Sequence, residues 1–379
     1  MVIQEPLPSR YRQLDPERMM ELADQRKRQL GRDVCILGHH YQGDAVIRFA
    51  DFTGDSLKLS QIAAAQKAKY IVFCGVHFMA ESADVLSSSD QTVILPNLRA
   101  GCTMADMADD VDVAAALEEV QAAAGRKVVP VTYVNSSAKV KAVTARFGGA
   151  CCTSSNVRNV FRWALAAESQ GGAGAEKIFA IPDEHLARNT AMAMGYSADD
   201  CAVYDPRQER GGLTREQISR ATFILWKGNC YVHQLFRPEH VDQVRERHPE
   251  IKVIVHPECP HEVVRRSDAA GSTEQIIKAV SSATAGAQWA IGTESNLVHR
   301  LAKQHKDQFI RVLSDAPAFC AQMQRIDLPH LLWALDNLAE GRVVNSVRVE
   351  PSAAEGARVA LERMISIKAV QEVTPTIGD

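Results

Sequence analysis

At 379 residues the chain is longer than one hydrophobic core usually grows, so two or three compact units are expected. Lys and Arg number 43 against 46 Asp and Glu, a formal net charge of -3, and no basic stripe interleaved with aromatics stands out, which sets nucleic acid aside as a partner. The longest apolar runs, such as residues 70–76, have strand rather than membrane length, and the opening stretch lacks the apolar core of a signal peptide, so we expect a cytoplasmic chain outside the membrane.

An amphipathic helix is expected over residues 15–30, where Asp15-Pro16 supplies a side-chain cap and a proline at the first helical position. Short apolar, β-rich segments then alternate with longer helical patterns. They fall at residues 34–37, 70–74 and 92–95, then 127–134, 177–181 and 222–225, then 251–255, 288–291 and 309–313. The alternation predicts parallel α/β units, and its return predicts three of them in a degenerate repeat. The expected bounds are 1–31 for an N-terminal helical extension, 32–120, 121–237 and 238–345 for the three units, and 346–379 for a closing helix and polar, mobile tail. The Gly-rich turn at 171–174 and the polar loop at 205–212 read as an insertion in the second unit.

Polar residues gather just after these strands, where open parallel sheets bind ligands beyond their carboxyl ends. His39-His40-Tyr41 follows the first strand of unit one, Tyr133-Val134-Asn135 ends that of unit two, and His256-Pro257-Glu258 follows that of unit three. Hydroxyls come next: Ser56, then Thr153-Ser154-Ser155, then Ser272-Thr273. The last two sets are expected to open helices, either as simple caps or with free N–H groups turned to an anion. Each unit then closes on a cysteine: Cys102, Cys230 and Cys320.

Nine cysteines form an odd set with no export signal, which argues against a disulfide framework. Cys35 and Cys74 lie inside apolar strands and read as packing residues, and the adjacent Cys151 and Cys152 face opposite ways on one strand. One thiolate from each of three units would leave a metal with a free position. Zinc usually draws on local C-x-x-C pairs, which are absent, whereas an iron-sulfur cube can be held through three irons. Spacing alone does not choose between these metals, nor does it exclude three ordinary buried thiols.

The runs His39-His40-Tyr41-Gln42, ADFTGDSLKLS (50–60), FCGVHFMAESADVL (73–86), LPNLRAGCTMADM (95–107), VTYVNSSAKVKA (131–142), CCTSSN (151–156), PDEHLARNTA (182–191), WKGNCYVHQLF (226–236), HPECP (256–260), IGTE (291–294) and CAQM (320–323) resemble the quinolinate synthase family in order along most of the chain. Gln324-Arg325 departs from a Lys-Met pair common in the family, with the preceding cysteine intact. The resemblance implies an α/β fold of three pseudo-symmetric three-layer αβα domains, their parallel sheets arranged around a central active site. It implies a 4Fe-4S cluster on Cys102, Cys230 and Cys320 with one open iron acting as a Lewis acid. It further implies condensation of iminosuccinate (iminoaspartate) with dihydroxyacetone phosphate to quinolinate, phosphate and two waters, in NAD biosynthesis, and a functional link to the enzyme supplying iminosuccinate. Substrate contacts are carried onto His39, Tyr41, Ser56, Tyr133, Val134, Asn135, Ser154, His256, Pro257, Glu258 and Thr273, with a protonated imidazole among the donors. Glu258, Tyr133 and His256 would move protons, and His233 would stand near the cluster as a donor rather than a ligand. Glu81 and Glu294 are left between pocket lining and structural bonding. Without the resemblance, a metabolite-binding regulator and a zinc-dependent hydrolase or lyase both stay open.

Overall fold

The computed structural model describes residues 4–367 and the strand residues 374–375. The first sheet holds β1 (Val34–His39), β2 (Phe52–Gly54), β3 (Tyr70–Cys74) and β4 (Thr92–Ile94). The second holds β5 (Val128–Tyr133), β6 (Ala150–Cys152), β7 (Lys177–Ile181), β8 (Cys201–Tyr204) and β9 (Phe223–Trp226). The third holds β10 (Lys252–Val255), β11 (Ala269–Ala270), β12 (Gln288–Gly292) and β13 (Phe309–Val312). Two late strands, β14 (Ser346–Val347) and β15 (Thr374–Pro375), add antiparallel edges to β4 and β11.

One parallel order recurs three times: β2-β1-β3-β4, β6-β5-β7-β9 and β11-β10-β12-β13. The α/β repeat expected from the sequence is therefore present, each expected strand in place and each repeat carrying one further short strand, β2, β6 or β11. In each copy the chain leaves the first strand for one side and returns on the other with the third. The crevice beyond the carboxyl ends of those two strands is the place such sheets offer a ligand. Strands β1, β5, β7 and β9 are buried at every residue, as parallel strands covered by helices on both faces must be.

By compactness the described residues form two units. One comprises those up to Cys102 together with Phe319–Pro351, and the other comprises Thr103–Ala318 with those from Ser352 on. The first unit carries the first sheet. Its helix Pro16–Leu30 is capped as expected, with Asp15 accepting from the N–H groups of Glu17 and Arg18, and it stops at Gly31, whose φ of 53° suits glycine. Arg26 Nε donates to Asp336 Oδ1 at 2.7 Å, tying this helix to the helix Leu328–Ala339.

The second unit carries the other two sheets. Trp226 at the end of β9 is fully buried with Phe179, Ile224, Leu117 and Val120, and its Nε1 donates to Met107 O at 2.8 Å. Truncating such a side chain to alanine costs about 3–5 kcal/mol. Between the two segments expected as an insertion lies the edge strand β8, which begins at Cys201, and after the second comes the capped helix Arg215–Arg220. The closing helix is Pro351–Ser366, held where Arg363 Nη1 donates to Gly149 O at 2.6 Å. The tail expected after it lies outside the described residues, β15 excepted.

Candidate active site

In the second unit the carboxyl ends of β5, β6 and β10 bring together residues far apart in the chain. His256, which follows β10, has Nδ1 accepting the Glu258 N–H at 3.3 Å. The ring proton of the neutral imidazole therefore sits on Nε2, which lies 3.1 Å from Ser154 Oγ, in the turn after β6. Burial pulls the His256 pKa down to about 3, so this imidazole is neutral, not the protonated donor expected from the sequence.

Glu258 is 3 % exposed and ringed by polar groups. His233 Nδ1 lies 2.6 Å and His256 Nδ1 3.7 Å from Glu258 Oε2, and the two imidazoles stack with centroids 4.5 Å apart. The Tyr133 hydroxyl, at the end of β5, donates to the same carboxylate. Burial alone would raise its pKa, but the facing imidazoles and the Tyr133 hydrogen bond outweigh it and hold Glu258 at about 2. Glu258 is thus an ionised carboxylate in a buried pocket. His233 Nε2 pairs with Thr293 Oγ1 at 3.2 Å, just beyond β12.

The backbone around this group is stapled from several sides. Asn189, on the helix Glu184–Ala193, donates to the carbonyls of Pro257 and Cys259 at 2.8 and 2.9 Å. Val134 N donates to Cys152 O at 2.8 Å, fixing the loop that carries Asn135, whose Oδ1 is buried without a hydrogen-bond partner. Val134 and Pro257 thus appear in the site as backbone supports. Lys141, fully buried, donates to Ser136 O beneath the same loop.

Of the hydroxyl sets, Ser272-Thr273 opens a helix as expected: Thr273 is the first residue of Thr273–Ser281 and Ser272 its cap. The set at 153–155 does not. Its helix begins at Val157, because the Asn156 side chain reaches back to the Thr153 N–H at 2.8 Å and folds residues 153–156 into a turn. Ser155 Oγ then donates to Ser272 Oγ at 2.9 Å, linking the second and third sheets within this unit.

In the first unit His39 ends β1, Tyr41 N donates to His39 Nδ1 at 3.2 Å, and the two rings meet edge to face at 4.7 Å. His39 pairs in register with Gly54, and Ser56 follows as the first residue of the helix Ser56–Ala65 under the Asp55 cap. His39, Tyr41 and Ser56 therefore share one sheet edge. Glu294 caps the helix Ser295–Gln304 through the Asn296 N–H at 2.7 Å.

Asp183 was not among the residues expected at a site. It follows β7, the third strand of the second repeat, and caps the helix Glu184–Ala193 with Oδ1 while Oδ2 is buried without a hydrogen-bond partner. Burial, reinforced by the charge of Glu258, pushes its pKa well above the usual carboxylate range. Its sequence signal, an acid before a helix, is indistinguishable from an ordinary cap. The switch-point position after a third strand was the distinguishing feature.

The thiols divide into two sets. Burial raises Cys35, Cys74 and Cys151 to about 12, Cys201 to about 11, and Cys152 and Cys259 well above the usual value. Cys102, Cys230 and Cys320 are only partly buried and share a local device. Each stands three residues ahead of a 3-10 helix, at Ala105–Met107, His233–Leu235 and Met323–Arg325. Cys320 lies in the segment that belongs to the first unit, as does Cys102, while Cys230 belongs to the second.

The family model described as "Quinolinate synthetase A protein" matches residues 21–366. The chain belongs to the quinolinate synthase family. It is 52% identical over 362 residues to a quinolinate synthase of Acidobacterium capsulatum, covering 94% of this chain and 95% of that one. It is also 51% identical over 358 residues to one of Streptomyces coelicolor, covering 93% and 89%, and 49% identical over 365 residues to one of Anoxybacillus flavithermus, covering 95% and 96%. Among the described residues of this family member no helix is long and apolar enough to cross a membrane.

Proposed function

We propose that the chain condenses iminosuccinate with dihydroxyacetone phosphate to quinolinate, phosphate and two waters. The observation that carries this reading is the ionised Glu258 set among Tyr133, His233 and neutral His256 at the sheet ends of the second unit. Exchange between the imine and its enamine removes a proton from carbon, and each loss of water delivers one to a departing hydroxyl. Glu258 is the acceptor, and the Tyr133 hydroxyl that donates to it is the relay. Neutral His256 offers Nε2–H, shared with Ser154, to a substrate carboxylate. His39, Tyr41, Ser56, Asn135 and Thr273 supply further polar contacts to the two carboxylates and the phosphate.

Cys102, Cys230 and Cys320 would hold a 4Fe-4S cluster. Their chemistry fits: they are three soft donors from separate segments, partly exposed, with a common local frame, whereas burial keeps the other six protonated. Such a cluster, when bound, supplies an open iron as a Lewis acid for the departing oxygens. The place in NAD biosynthesis and the link to an enzyme that supplies the imine follow from the same reading.

The test is an anaerobic assay for quinolinate from the two substrates. Alanine at Cys102, Cys230 or Cys320 is expected to remove the brown visible absorption and the activity together, while Cys151→Ala keeps both. Full activity in Cys102→Ala sinks the cluster assignment, and absence of quinolinate from the iron-loaded enzyme sinks the reaction.

A further inference from the structure

Cys230, His233 and Glu258 form a donor set of their own. One ligand atom from each lies within 4.8 Å of the others, with His233 and Glu258 buried and Cys230 partly exposed on the approach. His233 Nε2 is engaged with Thr293 Oγ1, which leaves Nδ1 to face the carboxylate. That nitrogen lies 2.6 Å from Glu258 Oε2, and both groups are buried. A proton on Nδ1 joins this pair in the metal-free chain, and its release leaves the imidazole nitrogen, the carboxylate oxygen and the Cys230 sulfur as three donors facing one point.

Thiolate, imidazole and carboxylate are a borderline-soft set suited to zinc or cobalt, with a fourth position left for solvent. We propose that the cluster-free chain binds one divalent transition-metal ion at Cys230, His233 and Glu258. In a tetrahedral site with metal–nitrogen and metal–oxygen bonds of about 2.1 Å, the donor atoms stand about 3.4 Å apart, so the Nδ1 to Oε2 pair opens slightly on binding. All three ligands lie in the second unit, so the site does not depend on Cys102 or Cys320. Only one consequence rests on the cluster reading: because Cys230 is shared, the mononuclear ion and the cluster exclude each other, and zinc captured by nascent enzyme blocks cluster assembly.

The experiment titrates the full-length Cys102→Ala/Cys320→Ala chain, free of iron, with cobalt(II) and then zinc(II). Expected are one equivalent of cobalt, a sulfur-to-cobalt charge-transfer band with tetrahedral visible bands, and bleaching by zinc. Cys230→Ala should lose the charge-transfer band, and Glu258→Gln, with the fold checked by circular dichroism, should weaken cobalt binding by at least about tenfold. No stoichiometric cobalt, or a band that survives Cys230→Ala, overturns the site. For the shared-ligand consequence, zinc added to wild-type apoprotein before iron and sulfide should suppress the brown absorption. Unimpeded reconstitution overturns the exclusion. Full activity of Cys102→Ala would remove the cluster reading and leave the cobalt result standing, so the two failures are distinguishable.

Discussion

The edges of the first and third sheets are built on one backbone device and carry different chemistry. At the end of the first strand of these two repeats a histidine turns Nδ1 back to accept the N–H two residues on, 3.2 Å from Tyr41 to His39 and 3.3 Å from Glu258 to His256. The device fixes each ring's neutral tautomer with its proton on Nε2. What differs is the residue that donates. Tyr41 meets its histidine edge to face on a partly exposed turn, whereas Glu258 is sealed among His233, His256 and Tyr133. The repeat therefore supplies the same placement at both edges, and a single position two residues past the histidine sets whether an edge presents a hydroxyl or a charge.

Replacing the two distinguishing residues breaks the comparison most sharply. Glu258→Gln removes the charge while keeping the shape, and turnover should fall by about 10²–10⁴, the range of a general base, with the fold retained by circular dichroism at some loss of stability. Tyr41→Phe keeps its backbone N–H on His39, and its effect should stay within about tenfold. Both are read in the quinolinate assay. A mild effect at Glu258 together with a severe one at Tyr41 would reverse the roles of the two edges.

Asn189→Ala tests what holds the third-sheet edge in place. It strips the partner from two buried carbonyls, those of Pro257 and Cys259, and should cost about 2–3 kcal/mol in urea unfolding. A loss below about 0.5 kcal/mol would mean that the loop holds its shape without the helix behind it.

Acid titration should separate the edges further. His256 is held at about 3 by burial against an ordinary 6.5, so between those values the unfolded chain binds a proton that the folded one refuses. Stability is then full above pH 6.5 and falls as the pH drops toward 3, by up to about 1.4 kcal/mol per pH unit. Burial also lowers His185, to about 4, adding to the same loss between pH 6.5 and 4. Glu258 acts lower still: its stabilisation is present above 4.5 and disappears as the pH falls to about 2. Urea midpoints from pH 7 to 4 give the slope, and His256→Asn should flatten it. An unchanged slope in that variant would place the acid sensitivity elsewhere.

Much of this was legible in the sequence because parallel strands buried on both faces leave near-continuous apolar runs, and all the central strands stand where such runs occur. The short edges left no such mark. β2 has three residues and β11 two, too few for a period to register, and they were visible only as the loops that carry Ser56 and Thr273. At the site, residues two or three past a first strand were readable from chain order. Asp183 and Thr293 were not, since they follow third strands and their partners, Glu258 and His233, are distant in the chain. The turn at 153–156 escaped for a similar reason: a Thr-Ser-Ser run reads as a cap until Asn156 is seen bonding backward.

Asp183 gives the smallest expected effect and a discriminating one. Its pKa is pushed well above the ordinary range by burial and by the charge of Glu258, and its Oδ1 accepts the Leu186 N–H at 2.6 Å. An amide has the shape of the carboxyl group and the charge of its protonated form. Asp183→Asn should therefore keep the cap, change stability by less than about 1 kcal/mol and leave the acid limb of the rate profile in place, whereas Asp183→Ala loses the cap and about 0.5–2 kcal/mol. Were Asp183 ionised instead, the amide would remove a negative charge beside Glu258, lower the Glu258 pKa further and move the acid limb to lower pH. An unshifted limb with retained stability fixes Asp183 as the neutral member of the pair and leaves Glu258 as the only carboxylate that can accept a proton there.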